Sequence, residues 1–152
     1  MGNICRSPTA EGVFRKLAGQ HPELNSLEID SCGTIGYHVG ENADPRSVAA
    51  AKKRGYNLSS ITSSKIKNDD LRYYDYILVM DSDNLTNTLA LKSKDGVYTS
   101  KMCLFLDYAL NSNISDVPDP YYGGPSGFDD VIDLIEDASE GLIEELLKAE
   151  RS

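Results

Sequence analysis

The chain has 152 residues and a formal net charge of −9 at neutral pH. This length fits one domain, and an apolar fraction of 40% is enough for an ordinary hydrophobic core. The acidic balance excludes a general nucleic-acid-binding protein, because such proteins need a basic face. No apolar run reaches the length of a membrane span, and the first residues do not have the pattern of a signal peptide.

The chain contains three cysteines, Cys5, Cys32 and Cys103, without the paired spacing of a zinc site. An odd number of cysteines in a sequence without secretory features is typical of reduced thiols. The sequence therefore predicts a cytoplasmic protein, and it gives no indication of a metal ion or a cofactor.

The first residues predict an anion-binding turn that leads into a helix. Ser7 is the predicted N-cap of this helix and Pro8 lies in its first turn. Backbone N–H groups at a helix start attract anions, and the planar fork of Arg6 matches phosphate oxygens. The predicted phosphate-binding loop consists of Gly2, Asn3, Ile4, Cys5 and Arg6.

Strand-like and helix-like segments alternate along the rest of the chain. Such alternation predicts an α/β fold in which helices cover both faces of an open, mostly parallel sheet. The first predicted helix is followed, in chain order, by a strand at 27–31, a helix from Asp44 to Gly55, a strand at 76–80, a helix at 83–92 and a strand at 102–106. A last helix follows, and its apolar residues form one stripe: Val131, Leu134, Ile135, Ala138, Leu142, Ile143, Leu146 and Leu147.

Two acidic residues follow predicted strands. Asp81 comes directly after one apolar strand, and Asp119 lies in the loop that follows the next. Ligands of open α/β sheets bind beyond the carboxyl ends of the strands. We therefore expect both carboxylates to face the same cleft as Arg6.

Four blocks of sequence, in order and over essentially the whole chain, resemble the signatures of the low-molecular-weight protein-tyrosine phosphatases. The first block resembles the second half of the family's Cys-x5-Arg loop, and the last resembles its general-acid loop. The blocks are residues 2–8; Ser31-Cys32-Gly33-Thr34 with 37–40 and 44–46; 76–81 with Asn84; and 117–122.

The resemblance implies a single doubly wound α/β domain over residues 1–152, built on a four-stranded, mostly parallel sheet. It also implies hydrolysis of phosphotyrosine or aryl phosphate monoesters through a cysteinyl-phosphate intermediate. A phosphotyrosine-containing protein, such as a tyrosine kinase, would be the substrate, and phosphate or a similar oxyanion would bind in the site. No cofactor, nucleic acid or membrane is implied.

The resemblance also assigns roles to individual residues. Arg6 would clamp the phosphate, and Ser7 would donate a hydrogen bond to the thiolate. Asp119, held between Pro118 and Pro120, would act as general acid and then as general base. The remaining assignments are Asn3, which would order the loop, and the substrate-cleft walls Tyr37, Tyr121 and Tyr122.

The nucleophile is the point at which this sequence departs from the family. The family's cysteine stands six residues before the arginine, which is one residue before Met1. The first, central strand that carries this cysteine is absent from the sequence as well. We therefore expect an N-terminally truncated domain that is itself inactive. Cys5 adjoins Arg6 and cannot occupy the nucleophile position. The resemblance implies a redox partner of the nucleophile there, and because the nucleophile is missing from this sequence we expect Cys5 to be a spare thiol.

Two interpretations of this start remain. In the first, the protein is an active phosphatase whose start was assigned at an internal methionine. In the second, it is a catalytically dead pseudo-phosphatase or a phosphate-binding module. A third possibility, a phosphocarrier resembling enzyme IIB, would leave the loop Asp119-Pro120-Tyr121-Tyr122 unexplained.

Overall fold

The computed structural model describes residues 6–33, 40–67, 69–92, 100–120 and 126–151. Helices and two parallel strands alternate along these ranges. The elements are α1 (Arg6–Ala18), α2 (Pro45–Lys53), α3 (Asp70–Tyr73), β1 (Tyr76–Val79), α4 (Ser82–Lys92), β2 (Lys101–Leu104) and α5 (Gly127–Arg151), with short 3-10 turns at Pro22–Leu24 and Phe105–Tyr108.

Local sequence signals explain where α2 begins and ends. The Asp44 carboxylate caps α2 by accepting a 2.8 Å hydrogen bond from the Arg46 N–H. Gly55, with φ near +87°, follows the end of this helix in the left-handed conformation that glycine adopts easily. The predicted start and end of α2 are thereby confirmed. The predicted N-cap of α1 is wrong: the helix already includes Arg6, so Ser7 lies inside its first turn.

The described sheet consists of β1 and β2, which pair in parallel with Tyr76 opposite Lys101 and Val79 opposite Leu104. Helix α4 connects the two strands and contacts both of them. The strand predicted at 102–106 begins one residue earlier than expected and ends two residues earlier, because the chain turns into a 3-10 helix at Phe105.

The strand predicted at 27–31 is not observed. Residues 27–31 form no strand ladder, and within the described part of the chain the nearest pairing is an isolated bridge between Gly33 and Lys65. The alternation of apolar and polar side chains in this segment is real, but a strand also needs a neighbouring strand that accepts its backbone hydrogen bonds. Periodicity alone does not supply that neighbour.

The main hydrophobic core lies where α5 packs against α1 and α2. The predicted apolar stripe of α5 is confirmed, since Val131, Ile135 and Ala138 are at most 2% exposed. Val13 and Phe14 bring the face of α1 into the same core. None of the helices in the described ranges is long and apolar enough to cross a membrane.

Gly141 of α5 generates a stability prediction. A Cβ at this position would overlap the backbone carbonyl oxygen of Tyr108, in the 3-10 turn that packs on α5. We expect Gly141→Ala to lower the free energy of unfolding by about 1–3 kcal/mol, because a backbone atom must move. Gly127→Ala is the matched control, because its Cβ would meet Pro120 at an ordinary 3.5 Å. Equal urea midpoints for the two variants would contradict the prediction.

Candidate active site

Arg6 is the first residue of α1 and is only 6% exposed. Its Nη1 donates a 2.6 Å hydrogen bond to Oδ2 of Asp81 and a 2.7 Å hydrogen bond to the carbonyl oxygen of Val117. Three distant segments therefore meet at one guanidinium group. Charge-assisted bonds of this length are strong and restrict the direction of the arginine.

Asp81 holds Arg6 and caps a helix at the same time. The residue follows β1 after Met80, and its Oδ1 accepts a 2.8 Å hydrogen bond from the Asn84 N–H in the first turn of α4. Burial by itself raises the pKa of Asp81. The hydrogen bond from Asn84 and the hydrogen bond and charge of Arg6 outweigh burial and hold this pKa below its ordinary value. Asp81 is thus fixed as a carboxylate.

The loop that carries Asp119 is attached to the same region. The Val117 N–H donates a 2.7 Å hydrogen bond to the Met80 carbonyl, directly after β1. One residue earlier, Oδ1 of Asp116 accepts hydrogen bonds from the Ser82 N–H and Oγ at 3.1 and 2.9 Å. Asp119 itself is exposed, whereas Val117 is 1% exposed. The loop therefore has a buried anchor and an exposed carboxylate two residues further on.

An open cleft brings the predicted clamp and the predicted general acid together. Its lining includes Arg6 and Asp119, as their positions in the sequence led us to expect, and also Asp81. The full lining is Arg6, Asp81, Asp83, Asp116, Val117, Pro118 and Asp119.

The structure does not place Ser7 in the lining of this cleft. Ser7 is half-buried and lines a separate small pocket with Cys32, Gly33 and residues of β1. Its predicted hydrogen bond to a thiolate stays a prediction. The other predicted site residues lie outside the described ranges: Gly2, Asn3, Ile4 and Cys5 of the loop, and Tyr37, Tyr121 and Tyr122 of the cleft walls.

The two described cysteines are poor candidates for chemistry. Burial, with smaller contributions from the carboxylates of Asp70 and Asp30, raises the pKa of the Cys32 thiol to about 12. Burial also raises the pKa of Cys103, and neither cysteine lines the cleft. Both are therefore protonated near neutral pH and weakly nucleophilic. Among the residues that the structure describes, no group of three or more His, Cys, Asp or Glu side chains could hold a metal ion.

Sequence reasoning placed Asp81 at the cleft but did not foresee its bond to Arg6. The signal was present, because an acid directly after a buried strand points to the ligand edge of the sheet. The Asp116–Ser82 contact had no such signal. The two residues lie 34 positions apart, and each is an ordinary polar residue for a loop or a helix start.

The Arg6–Asp81 pair makes stability depend on pH in a defined way. The pKa of the Asp81 carboxyl is lower in the folded protein than in the unfolded chain, where the pKa of an aspartate is about 3.9. The carboxylate therefore contributes its full stabilisation at pH values above the unfolded pKa, and this contribution is lost as the pH falls through the pKa of the folded state. We expect Asp81→Asn to lower the free energy of unfolding by about 2 kcal/mol at pH 7 and by less at pH 3, which lies below the unfolded pKa. Urea unfolding at the two pH values measures the difference.

Asp83→Asn is the control for that experiment. Asp83 lies in the same first turn of α4, but its side chain is exposed. It therefore reports what a carboxylate contributes near the helix dipole without Arg6. If the two variants lose equal stability at pH 7, the pairing with Arg6 does not stabilise the fold.

Comparisons with known proteins agree with the sequence blocks. The family model described as low molecular weight phosphotyrosine protein phosphatase matches residues 1–152. A Schizosaccharomyces pombe protein of that name is 39% identical over 149 residues, which are 96% of this chain and 92% of that protein. The human protein of that name is 35% identical over 131 residues, 86% of this chain and 82% of its own.

Solved structures show the same relationship. The crystal structure of a protein tyrosine phosphatase from Entamoeba histolytica, with Hepes in its active site, has a TM-score of 0.90 and 41% identity, and the match covers 98% of this chain and 94% of that one. The predicted doubly wound α/β fold class is thereby confirmed. The chain belongs to the low-molecular-weight protein-tyrosine phosphatase family.

Proposed function

We propose that the protein hydrolyses phosphotyrosine, with Arg6 as the phosphate clamp and Asp119 as the general acid and base. The observation that carries this proposal is the buried Arg6 guanidinium, which is bonded to the Val117 carbonyl two residues before Asp119. One contact thus relates the position of the phosphate to the position of the proton donor.

The bonding pattern of Arg6 supports the clamp role. Within the described residues, Nη1 makes both bonds, to Asp81 and to Val117, and a guanidinium nitrogen of this type has two hydrogens. The edge formed by Nε and Nη2 would then face the phosphate as a two-pronged donor. The start of α1 adds a positive partial charge at the same place, which opposes the net charge of −9 locally.

The proposed reaction has two steps. A thiolate attacks phosphorus, the bond to the phenolic oxygen breaks, and protonated Asp119 gives its proton to the leaving phenolate. The carboxylate of Asp119 then takes a proton from a water molecule whose oxygen attacks phosphorus. The sulfur–phosphorus bond breaks, inorganic phosphate leaves, and both the thiolate and protonated Asp119 are restored.

We assign the nucleophile to a cysteine directly before Met1 in the complete protein. This assignment rests on the family spacing of six residues before the arginine, counted from Arg6. The described thiols offer no substitute, because Cys32 and Cys103 lie outside the cleft lining and have raised pKa values. Cys5 adjoins Arg6 in the sequence, which is too close for in-line attack on a phosphate that Arg6 holds.

Hydrolysis of a phosphotyrosine peptide tests the proposal. The protein that carries a strand ending in cysteine before Met1 should hydrolyse the peptide, and replacing that cysteine by serine should lower the rate by about 10⁶. Asp119→Ala should lower kcat/KM by about 10²–10⁴, the usual range for a general acid. Arg6→Lys should abolish most activity because lysine lacks the planar fork. Arg72→Lys, on the exposed face of α3, is the control.

The chain that begins at Met1 supplies the other arm. By the same reasoning it should bind phosphotyrosine without turnover, and Arg6→Lys should weaken this binding in titration calorimetry. Binding without turnover in both the shorter and the extended protein would favour the phosphate-binding module instead. A phosphoenzyme trapped on Cys5 would show that the assignment of the nucleophile is wrong.

A further inference from the structure

We propose that Asp116 is a positioning residue for the general acid: its carboxylate fastens the loop of Asp119 to the start of α4. The inference rests on the proposed function, because it concerns the orientation of Asp119 during catalysis. Asp116 itself is assigned no contact with the reacting atoms. Its effect would be transmitted through Val117 and Pro118, the two residues that separate it from Asp119.

Asp116 is bound to Ser82 at the start of α4. Oδ1 of the half-buried Asp116 accepts both the Ser82 N–H, at 3.1 Å, and the Ser82 Oγ–H, at 2.9 Å. Ser82 is the first residue of α4, and the N–H groups of a first helical turn have no acceptor within their own helix. Asp116 therefore completes the cap of α4 from a distant loop, with a charge that suits the helix dipole.

The backbone between Asp116 and Asp119 is restrained. The next residue, Val117, is held at both of its backbone polar groups: its N–H by the Met80 carbonyl and its C=O by Arg6, each at 2.7 Å. Pro118 and Pro120 then restrict the backbone on either side of the acid. Val117 is held and the φ angles of both prolines are restricted, so few free backbone torsions lie between the Asp116 anchor and Asp119.

The start of α4 would orient both Arg6 and Asp119. In the first turn of α4, the Asn84 N–H binds Oδ1 of Asp81, which holds the clamp Arg6, and the Ser82 N–H binds Asp116. The distance between clamp and acid is therefore set by two N–H groups of the same helical turn. A helix start is more rigid than a loop, so this arrangement would keep Arg6 and Asp119 at a constant distance from each other.

A second anchor of the same loop provides a matched control. The Asp137 carboxylate, on α5, accepts the N–H groups of Leu110, Asn111 and Ser112 at 2.9–3.2 Å. Asp137 therefore holds residues 110–112, well before the general acid, whereas Asp116 lies three positions before Asp119. If loop order alone mattered, loss of either anchor would have the same effect on catalysis.

The test compares kcat/KM for two aryl phosphates in the enzyme that carries the cysteine before Met1. Phenyl phosphate has a poor leaving group that needs the general acid, whereas 4-nitrophenyl phosphate has a good one that needs it much less. We expect Asp116→Ala to lower kcat/KM about tenfold for phenyl phosphate and less than about threefold for 4-nitrophenyl phosphate. Asp116→Asn, which keeps an oxygen acceptor, should restore most of the loss, and Asp137→Ala, which removes the other anchor, should leave the ratio of the two substrates unchanged.

A double-mutant cycle examines the Ser82 contact itself. Ser82→Ala should shift the substrate ratio in the same direction but less, because the Ser82 N–H remains. Adding it to Asp116→Ala should have no further effect, since both act through one contact. Additive effects, or an equal substrate ratio in Asp116→Ala and Asp137→Ala, would overturn the proposal.

Hydrogen exchange in the chain that begins at Met1 separates this inference from the proposed function. Asp116→Ala should speed exchange of the Val117 amide about tenfold, and Asp137→Ala should not. If the extended enzyme has no activity on either substrate, the proposed function fails while exchange still reports the anchor. If the Val117 amide exchanges at the wild-type rate in Asp116→Ala, the anchor is absent and the inference is wrong even in an active enzyme.

Discussion

The two oxygens of the Asp81 carboxylate are bound to different parts of the molecule. Oδ1 accepts the N–H of Asn84 at the start of α4, and Oδ2 accepts the guanidinium of Arg6 at the start of α1. The fold and the candidate site therefore share one group. Without this carboxylate, α4 would lose a cap and a nearly buried arginine would lose its counter-charge, which is costly in a region with little water.

This pairing also changes how an anion would be recognised. Asp81 neutralises the formal charge of Arg6, and Asp83, Asp116 and Asp119 line the same cleft. Net charge therefore does not attract a phosphate to this place. Recognition would depend on directed N–H groups at short range, as it does at other helix starts that bind anions. Such a site favours a ligand of the right shape over anions in general.

The sequence was most informative where a structure is determined by neighbouring residues. The cap of α2 by Asp44 and the apolar stripe of α5 were predicted because each depends on residues within a few turns of the chain. The segment 27–31 shows the opposite case. Its alternation has the strand period, but no ladder forms, because pairing depends on what lies beside it in space.

The same distinction applies within the candidate site. Short motifs singled out Arg6 and Asp119 as candidates, and the rule for parallel sheets predicted the cleft that both residues line. The bonds that fix them could not be read from the sequence. Val117 contributes a backbone carbonyl, which every residue has, and Ser82 and Asp116 carry no pattern that connects them.

The packing of α1 against α5 has a consequence for the order in which the molecule is assembled. Residues of α1 are buried by residues of α5, which lies more than a hundred positions further along the chain. Contacts between residues so far apart in sequence form late in folding. The unit β1–α4–β2 is local and can form sooner. During synthesis, the start of α4 can therefore exist before Arg6 is fixed beside it. The proposed phosphate clamp would be completed only when Gly127–Arg151 has left the ribosome.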